Sequence, residues 1–347
     1  MIEGTPYDIR YAAREFNGWT QLHWTAPFVG ERYSLVWFTP EAKVSQGRKE
    51  PGLRDDERAE LLAREHSRSV PFLPALAFRP HSTDALVIKE LLDARKGSAY
   101  TLRPNEIFPE GFSLKNHTTV LDIGAHIGVF SRFAIAEGCQ HVISYEPEPT
   151  NFALLSQNLG TSHSDSLSFK LVASAVAYEA SALQVLVRAR NENDGKQNTW
   201  RHSLENYSMY VDRTSKLPSR NQAKTLERFP VKTVSFFGGK QQEGALVPGV
   251  SFLKLDCEGA EMDILLSQEA ARRSSWLDTT HLVAEWSFTK ERRVSVFHKA
   301  MKNLRKAGFE IYYEGIGSWW DVDDSVMWPY PSDLVVFAMM KLANDGR

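Results

Sequence analysis

Residues 118–159 read TTVLDIGAHIGVFSRFAIAEGCQHVISYEPEPTNFALLSQNL: a strand, a glycine turn, a helix, a second strand with an acidic end, and a second helix. Thr119 to Ile123 is apolar and β-rich, as a strand covered on both faces is. It leads into Gly124-Ala125-His126-Ile127-Gly128, where glycine lets a ligand come within contact distance of the chain. The next helix opens at this point, so its free N–H groups and positive dipole end face the same ligand. The second strand, His141 to Tyr145, delivers Glu146, 24 positions after Asp122. A carboxylate at the tip of the second strand is where α/β nucleotide-binding folds grip a ribose diol. A nucleoside-containing cofactor is the first expectation.

A dinucleotide site wants G-x-G-x-x-G, whose middle glycine admits the pyrophosphate. The turn here is Gly124-x-x-x-Gly128, led by Asp122. A carboxylate aimed at a pyrophosphate would repel it, whereas an ammonium or a sulfonium would be attracted. S-adenosylmethionine carries both cations and no phosphate. Two competing readings are an NAD-type oxidoreductase and a glycine turn that serves strand–helix packing alone.

The α/β alternation runs from about Tyr100 to the end. A third strand is predicted near 167–176, a fourth over Ser251–Asp256 and a fifth over His281–Trp286, with helices from Glu258 and over 290–307. Two final strands, Phe309–Glu314 and Leu334–Met340, have no helix between them. Alternation predicts a parallel sheet, and the closing pair predicts an antiparallel hairpin at one edge. A polar segment, 188–230, interrupts the pattern and reads as a solvated insertion or a substrate lid. Its mild basic excess fits a sugar phosphate or an acidic sugar.

Residues 1–99 read as an N-terminal extension, separate from a domain over 100–347. It offers a strand at Tyr33–Phe38, helices at Asp55–Ser67 and Thr83–Arg95, and a proline-broken crossing at Val70–Pro80. The 347 residues have a formal net charge of −2, which provides no global field for nucleic acid or an anionic membrane. Cys139 and Cys257 cannot build a disulfide framework and no Cys/His spacing suits a metal, so a reducing, cytoplasmic setting is expected. The start of the chain lacks signal-peptide character, and no apolar run approaches a membrane span.

A second signature is Lys254-Leu255-Asp256-Cys257-Glu258-Gly259-Ala260-Glu261. Asp256 ends a buried strand at the carboxyl edge of the sheet, where ligands of open α/β sheets bind. Glu258 and Glu261 fall in the first turn of the predicted helix, where dipole compensation explains an acid without any chemistry. That account suits Asp256 poorly, because a strand-end carboxylate needs a partner.

Together these segments resemble the FkbM-like S-adenosylmethionine-dependent methyltransferases. The matching pieces are VLDIGAHIGVFS (120–131), YEPEPTNFALLSQNL (145–159), FLKLDCEGAEMDIL (252–265), LVAEW (282–286) and DLVVFAMM (333–340). The resemblance implies a class I methyltransferase fold, Rossmann-like, with a mostly parallel seven-stranded sheet and an antiparallel C-terminal hairpin. It implies O-methylation of a hydroxyl on a sugar or small metabolite, with a small-molecule or glycan acceptor. It implies that Asp122, Gly124 and Gly128 line the methionine end of the cofactor, that Glu146 holds the ribose hydroxyls, and that Ser174 and Ala175 flank the adenine. His126, Pro147, Asn151 and Asp256 complete the implied cofactor contacts. His126 stands where Asn is frequent, and Cys257 where a β-branched residue is frequent.

Methyl transfer needs an aligned acceptor and a group to receive its proton. The candidates are Asp256, Glu258, Glu285 and His202. A divalent ion held by Asp256 and Glu258 could do the same work. By residue type and place alone, His126 and His281 read as structural, the first as a turn residue and the second as a strand start. In the extension, Leu22 to Phe38 resembles the closing part of a 2-oxoglutarate/iron oxygenase barrel, in which His23 and Arg32 match an iron ligand and an oxoglutarate-binding base. The upstream His-x-Asp pair is missing, which points to a remnant without a site. A catalytically inactive, cofactor-binding fusion protein is the non-enzymatic alternative.

Overall fold

The computed structural model describes residues 54–92, 100–160, 166–181, 183–189, 199, 202–204, 226–238, 243–287, 294–316 and 333–341. The strand expected at Tyr33–Phe38, the oxygenase-like His23 and Arg32, and Trp200 and Arg201 lie outside them. The chain divides into two compact units, Met1–Gly52 and Leu53–Arg347. All described residues belong to the second.

Two helices open this unit, α1 (Asp55–Ser69) and α2 (Asp84–Leu92). Then follow β1 (Thr119–Ile123), α3 (Val129–Ala136), β2 (His141–Tyr145), α4 (Pro149–Leu159) and β3 (Ser168–Val172). Short strands β4 (Ala175–Ala177), β5 (Gln184–Ala189), β6 (Ser203–Leu204), β7 (Leu226–Val231) and β8 (Thr233–Ser235) come next. The second half is β9 (Phe252–Leu255), α5 (Glu261–Leu266), β10 (His281–Ser287), α6 (Val294–Lys306), β11 (Phe309–Ile316) and β12 (Asp333–Met340). Seven strands form the main sheet in the order β11-β12-β10-β9-β1-β2-β3. Six of them point the same way, and β12 alone runs antiparallel, between β10 and β11. Among the described residues no helix is long and apolar enough to cross a membrane.

Period-two alternation covers both faces of this sheet. Leu121 and Ile123 of β1 pack with Leu253, Leu255 and helices α5 and α6. The stripe on α6 is Phe297, Ala300, Met301 and Leu304, the i, i+3, i+4, i+7 spacing of an amphipathic helix. Val120 points to the other face, with Phe252, Val283 and the apolar sides of α1, α2 and α3.

The division at 99/100 read from the sequence leaves α1 and α2 in the extension, whereas the compact unit begins at Leu53. Side chains reaching main chain explain why these helices stay on the sheet. Arg132 of α3 donates to Pro74 O at 2.8 Å, and Asn158 of α4 exchanges hydrogen bonds with the backbone of Ala77.

Three other elements differ from the sequence reading. The strand expected near 167–176 is two strands, because Ser174 N–H turns back to Val172 O and Ala175 N–H goes to Lys232 O. So β4 leaves the main sheet and pairs with β8. The polar segment 188–230 is bounded by structure: β5, β6 and β7 form a small antiparallel sheet. The helix expected from Glu258 begins at Glu261, since Glu258 (φ 54°) and Gly259 (φ 127°) are left-handed and cannot join a right-handed helix.

Candidate functional site

A cavity of about 220 Å³ opens at the carboxyl ends of β1, β2 and β9, where the order of the parallel strands reverses. Val87 and Leu91 of α2 form one wall, so the helices before the sheet are part of the site.

On the β2 side, Glu146 lines the cavity although it is only 4 % exposed. Its Oε2 accepts the His126 N–H at 2.8 Å and its Oε1 the Glu148 N–H at 2.9 Å. Burial pushes its pKa up, against the pull of His126 and the two N–H groups. Oε2 has a second lone pair with which to accept a ligand hydroxyl. Pro147, Asn151, Ser174 and Ala175 line the same end, with Ser174 and Ala175 at the break between β3 and β4. His126 also lines it, held at φ 53°.

The glycine turn has two different explanations. Gly124 lines the cavity, but a Cβ there would lie 1.7 Å from Asp256 O, so the crossing of β1 and β9 alone demands glycine. Gly128 does not line the cavity. Its φ is 86°, and a Cβ there would meet Leu155 Cδ1 at 2.8 Å, which ties this glycine to the packing of α4. Asp122 also falls short of the cavity. It is fully buried, accepts from Ser131 Oγ at 2.6 Å and faces Lys254 Nζ at 3.3 Å. The register explains this, because Asp122 and Lys254 are direct partners across β1 and β9.

On the β9 side, Asp256, Glu258, Glu285 and His202 all line the cavity, as does Cys257. Asp256 Oδ2 accepts the Tyr100 hydroxyl at 3.1 Å and lies 3.3 Å from Lys254 Nζ. The ammonium also donates to Gly124 O at 2.9 Å and sits over the rings of Tyr100 and Phe130. Burial lowers the Lys254 pKa, but Asp256 and Asp122 more than offset it, and the net direction is up. Burial, then the charges of Asp256, Glu285 and Glu90, push the Tyr100 phenol up, so it stays a donor near neutral pH. Burial raises the Cys257 thiol, with Glu261 and Asp256 adding to it. Glu261 faces away from the chemistry: its two oxygens take the N–H groups of Cys257 (2.5 Å) and Gly259 (2.6 Å) and fix the left-handed turn. Among the described residues no group of three or more His, Cys, Asp or Glu could hold a metal ion.

Lys254 and Tyr100 carry no assignment in the sequence reading. Lysine between apolar neighbours in Phe252–Leu255 is the signal that could have found the first, since a buried ammonium needs anionic partners. Tyr100 had no such signal.

A parallel sheet of this order, its reversal point, and a buried carboxylate at the tip of β2 define a nucleoside-binding α/β fold. The family model described as "Methyltransferase FkbM domain" matches residues 122–311, more than half of the chain, and the chain belongs to that family. Its cofactor is S-adenosylmethionine. The cavity fits that group: Glu146 presents acceptors for a diol, and the lysine lining it is engaged by two carboxylates rather than free for a phosphate.

No curated protein matches the sequence significantly. Among solved structures, the N-terminal domain of human METTL16 is 10% identical, with 85% of this chain and 97% of that one covered and a TM-score of 0.32. M. jannaschii TYW2 in complex with AdoMet is 12% identical over 65% and 68% of the two chains, with a TM-score of 0.29. Precorrin-6y C5,15-methyltransferase from Geobacter metallireducens is 9% identical over 65% and 81%, with a TM-score of 0.30. Likenesses this distant carry no weight for acceptor or mechanism. Family membership sets aside the NAD-type reading.

Proposed function

We propose that the chain methylates a hydroxyl oxygen on a sugar or other small metabolite, free or within a glycan. The observation that carries this reading is Asp256, a carboxylate on the cavity wall whose Oδ2 is held by Tyr100 and Lys254. A hydroxyl stays neutral near pH 7, and a positioned base helps its attack by roughly a hundredfold or more. Asp256 takes the acceptor proton. Glu258, Glu285 and His202 bind and orient the acceptor's remaining polar groups, and fixed orientation contributes several kcal/mol of its own. The left-handed backbone at Glu258 aims that side chain at the cavity instead of into a helix.

At the other end, Glu146 accepts the ribose hydroxyls, Pro147 and Asn151 close the wall beside it, and Ser174 and Ala175 border the adenine. Gly124, His126 and Asp256 border the methionine portion; Asp122 acts there through Lys254, and Gly128 through the packing of α3 on α4. When bound, S-adenosylmethionine supplies an electrophilic methyl group on its sulfonium. The near-neutral net charge supports a small acceptor over nucleic acid. Two free cysteines suit a reducing cytoplasm.

The test is methyl transfer from labelled S-adenosylmethionine to fractionated small-molecule and glycan extracts, with the product identified by mass spectrometry. A methyl ether in the wild-type reaction, lost in Asp256→Asn, supports the proposal. Label found only on nitrogen or carbon would sink the oxygen assignment, and no label in any fraction would favour the inactive, cofactor-binding alternative.

A further inference from the structure

Arg79 and Asp84 precede the family match, which begins at residue 122, and neither lines the cavity. Both oxygens of Glu146 are nevertheless tied to them. Arg79 grips Asp84 with a two-pronged fork, Nε to Oδ2 and Nη2 to Oδ1, each at 2.9 Å. Asp84 Oδ1 lies 3.2 Å from His126 Nε2, and the His126 N–H donates to Glu146 Oε2 at 2.8 Å. By a second route, Arg79 Nη2 donates to Asn151 Oδ1 at 2.6 Å, and Asn151 Nδ2 lies 3.5 Å from Glu146 Oε1. The five residues close a ring, Arg79–Asp84–His126–Glu146–Asn151.

Thr199 braces the ring from inside. Its hydroxyl donates to Asp84 Oδ1 at 2.6 Å, and its carbonyl accepts from Asn151 Nδ2 at 2.8 Å. Asp84, Asn151 and Thr199 are 0 %, 1 % and 0 % exposed, so water does not compete for these bonds. His126 sits at φ 53°, in the left-handed region where Asn, Asp and His are the residues found most often after glycine. Its anchors at both ends, the ring nitrogen on Asp84 and the N–H on Glu146, hold it there.

We propose that Arg79 and Asp84 are positioning residues for cofactor binding: from outside the family match they set the orientation of Glu146 that accepts the ribose hydroxyls. This rests on the reading of Glu146 as the ribose-binding carboxylate. The prediction is a coupling between α2 and one part of the ligand, which a residue needed only for folding would not produce.

The experiment measures, by calorimetry on the full chain, the dissociation constants of S-adenosylhomocysteine and its 2′,3′-dideoxy analogue. The proteins are wild type, Arg79→Met, Asp84→Ala and His126→Asn. Because each ratio of the two constants comes from one protein, partial unfolding does not change it. Wild type is expected to favour the ribose by about tenfold or more. The variants should reduce that preference to about threefold or less, through weaker binding of S-adenosylhomocysteine alone. His126→Asn keeps a residue suited to the left-handed turn and opens the ring at one bond, so it carries the test if the buried variants do not fold. A preference preserved in the variants overturns the proposal alone. A wild type without any preference overturns the ribose reading of Glu146, and this proposal with it.

Discussion

At the tip of β2 the cavity-facing carboxylate, Glu146, is held by backbone N–H groups of His126 and Glu148; at the tip of β9 its counterpart, Asp256, is held by the side chains of Tyr100 and Lys254. Backbone donors cannot withdraw without moving the turn, so they suit a group whose task is to stay in one place. A phenol and an ammonium can shift with the charge of their partner, which suits a carboxylate proposed to gain a proton and lose it. Glu261 shows that a backbone grip does not by itself make a site. It accepts two N–H groups as Glu146 does, yet it faces the turn and leaves the cavity wall to Glu258.

The two ends meet at Gly124, and the largest expected effect comes from breaking that junction. Gly124→Ala forces a methyl group against Asp256 O, 1.7 Å from where a Cβ would stand, at a φ of 78°. The strands must part, and chemical denaturation should reveal a loss of more than about 4 kcal/mol, or no folded protein at all. A loss under about 1 kcal/mol would mean that the tips of β1 and β9 are not rigidly joined.

Acid tests fold stability through three largely buried histidines that do not line the cavity. His117 and His281 stack edge to face at 4.4 Å, and His66 lies beside Arg132. Burial lowers all three to about 4, with Arg132 adding to the effect on His66 and His117 to that on His281. The folded pKa lies below the unfolded value of 6.5, so the unfolded chain binds more protons between the two. Stability is therefore complete above about pH 6.5 and falls as pH drops toward 4, by up to about 3 kcal/mol for each largely buried ring. Urea midpoints from pH 7 to 4.5 should fall along that window, and His117→Leu should flatten the slope. An unchanged slope would remove His117 from the account.

Within the site, Asp256→Asn should slow methyl transfer by about a hundredfold. It should alter the affinity for S-adenosylhomocysteine far less. Equal losses in rate and affinity would erase the proposed division between the two carboxylates. The smallest expected effect is on binding. Glu146→Gln should weaken S-adenosylhomocysteine by about tenfold in calorimetry, since an amide keeps one acceptor and loses the charge. If the variant binds as wild type does, the grip on the ribose lies elsewhere.

Much of this was legible in the chain. The two signatures, the strand–helix alternation and the two final strands all follow local periods of two and 3.6 residues, which neighbours in sequence determine. Distant residues decided the surroundings of the rest. Asp122 was expected at the methionine end of the cofactor, and pairing of β1 with β9 sets it against Lys254. Gly128, expected at the methionine end of the cofactor, also leaves no room for a Cβ beside Leu155. Glu258 looked helical, and the two bonds to Glu261 hold its turn left-handed.

By itself the sequence determined the class of fold, the family, the cofactor, and the two carboxylates that end β2 and β9. Those depend on residue type and spacing along a few dozen positions. Only the tertiary structure decided what surrounds them: Tyr100 on Asp256, Lys254 between two acids, and α2 closing the wall and reaching Glu146 through Asp84 and Arg79. The physical reason is range. A period is written in consecutive residues, whereas the partner of a buried charge is whichever group the folded chain carries to within about 3 Å of it.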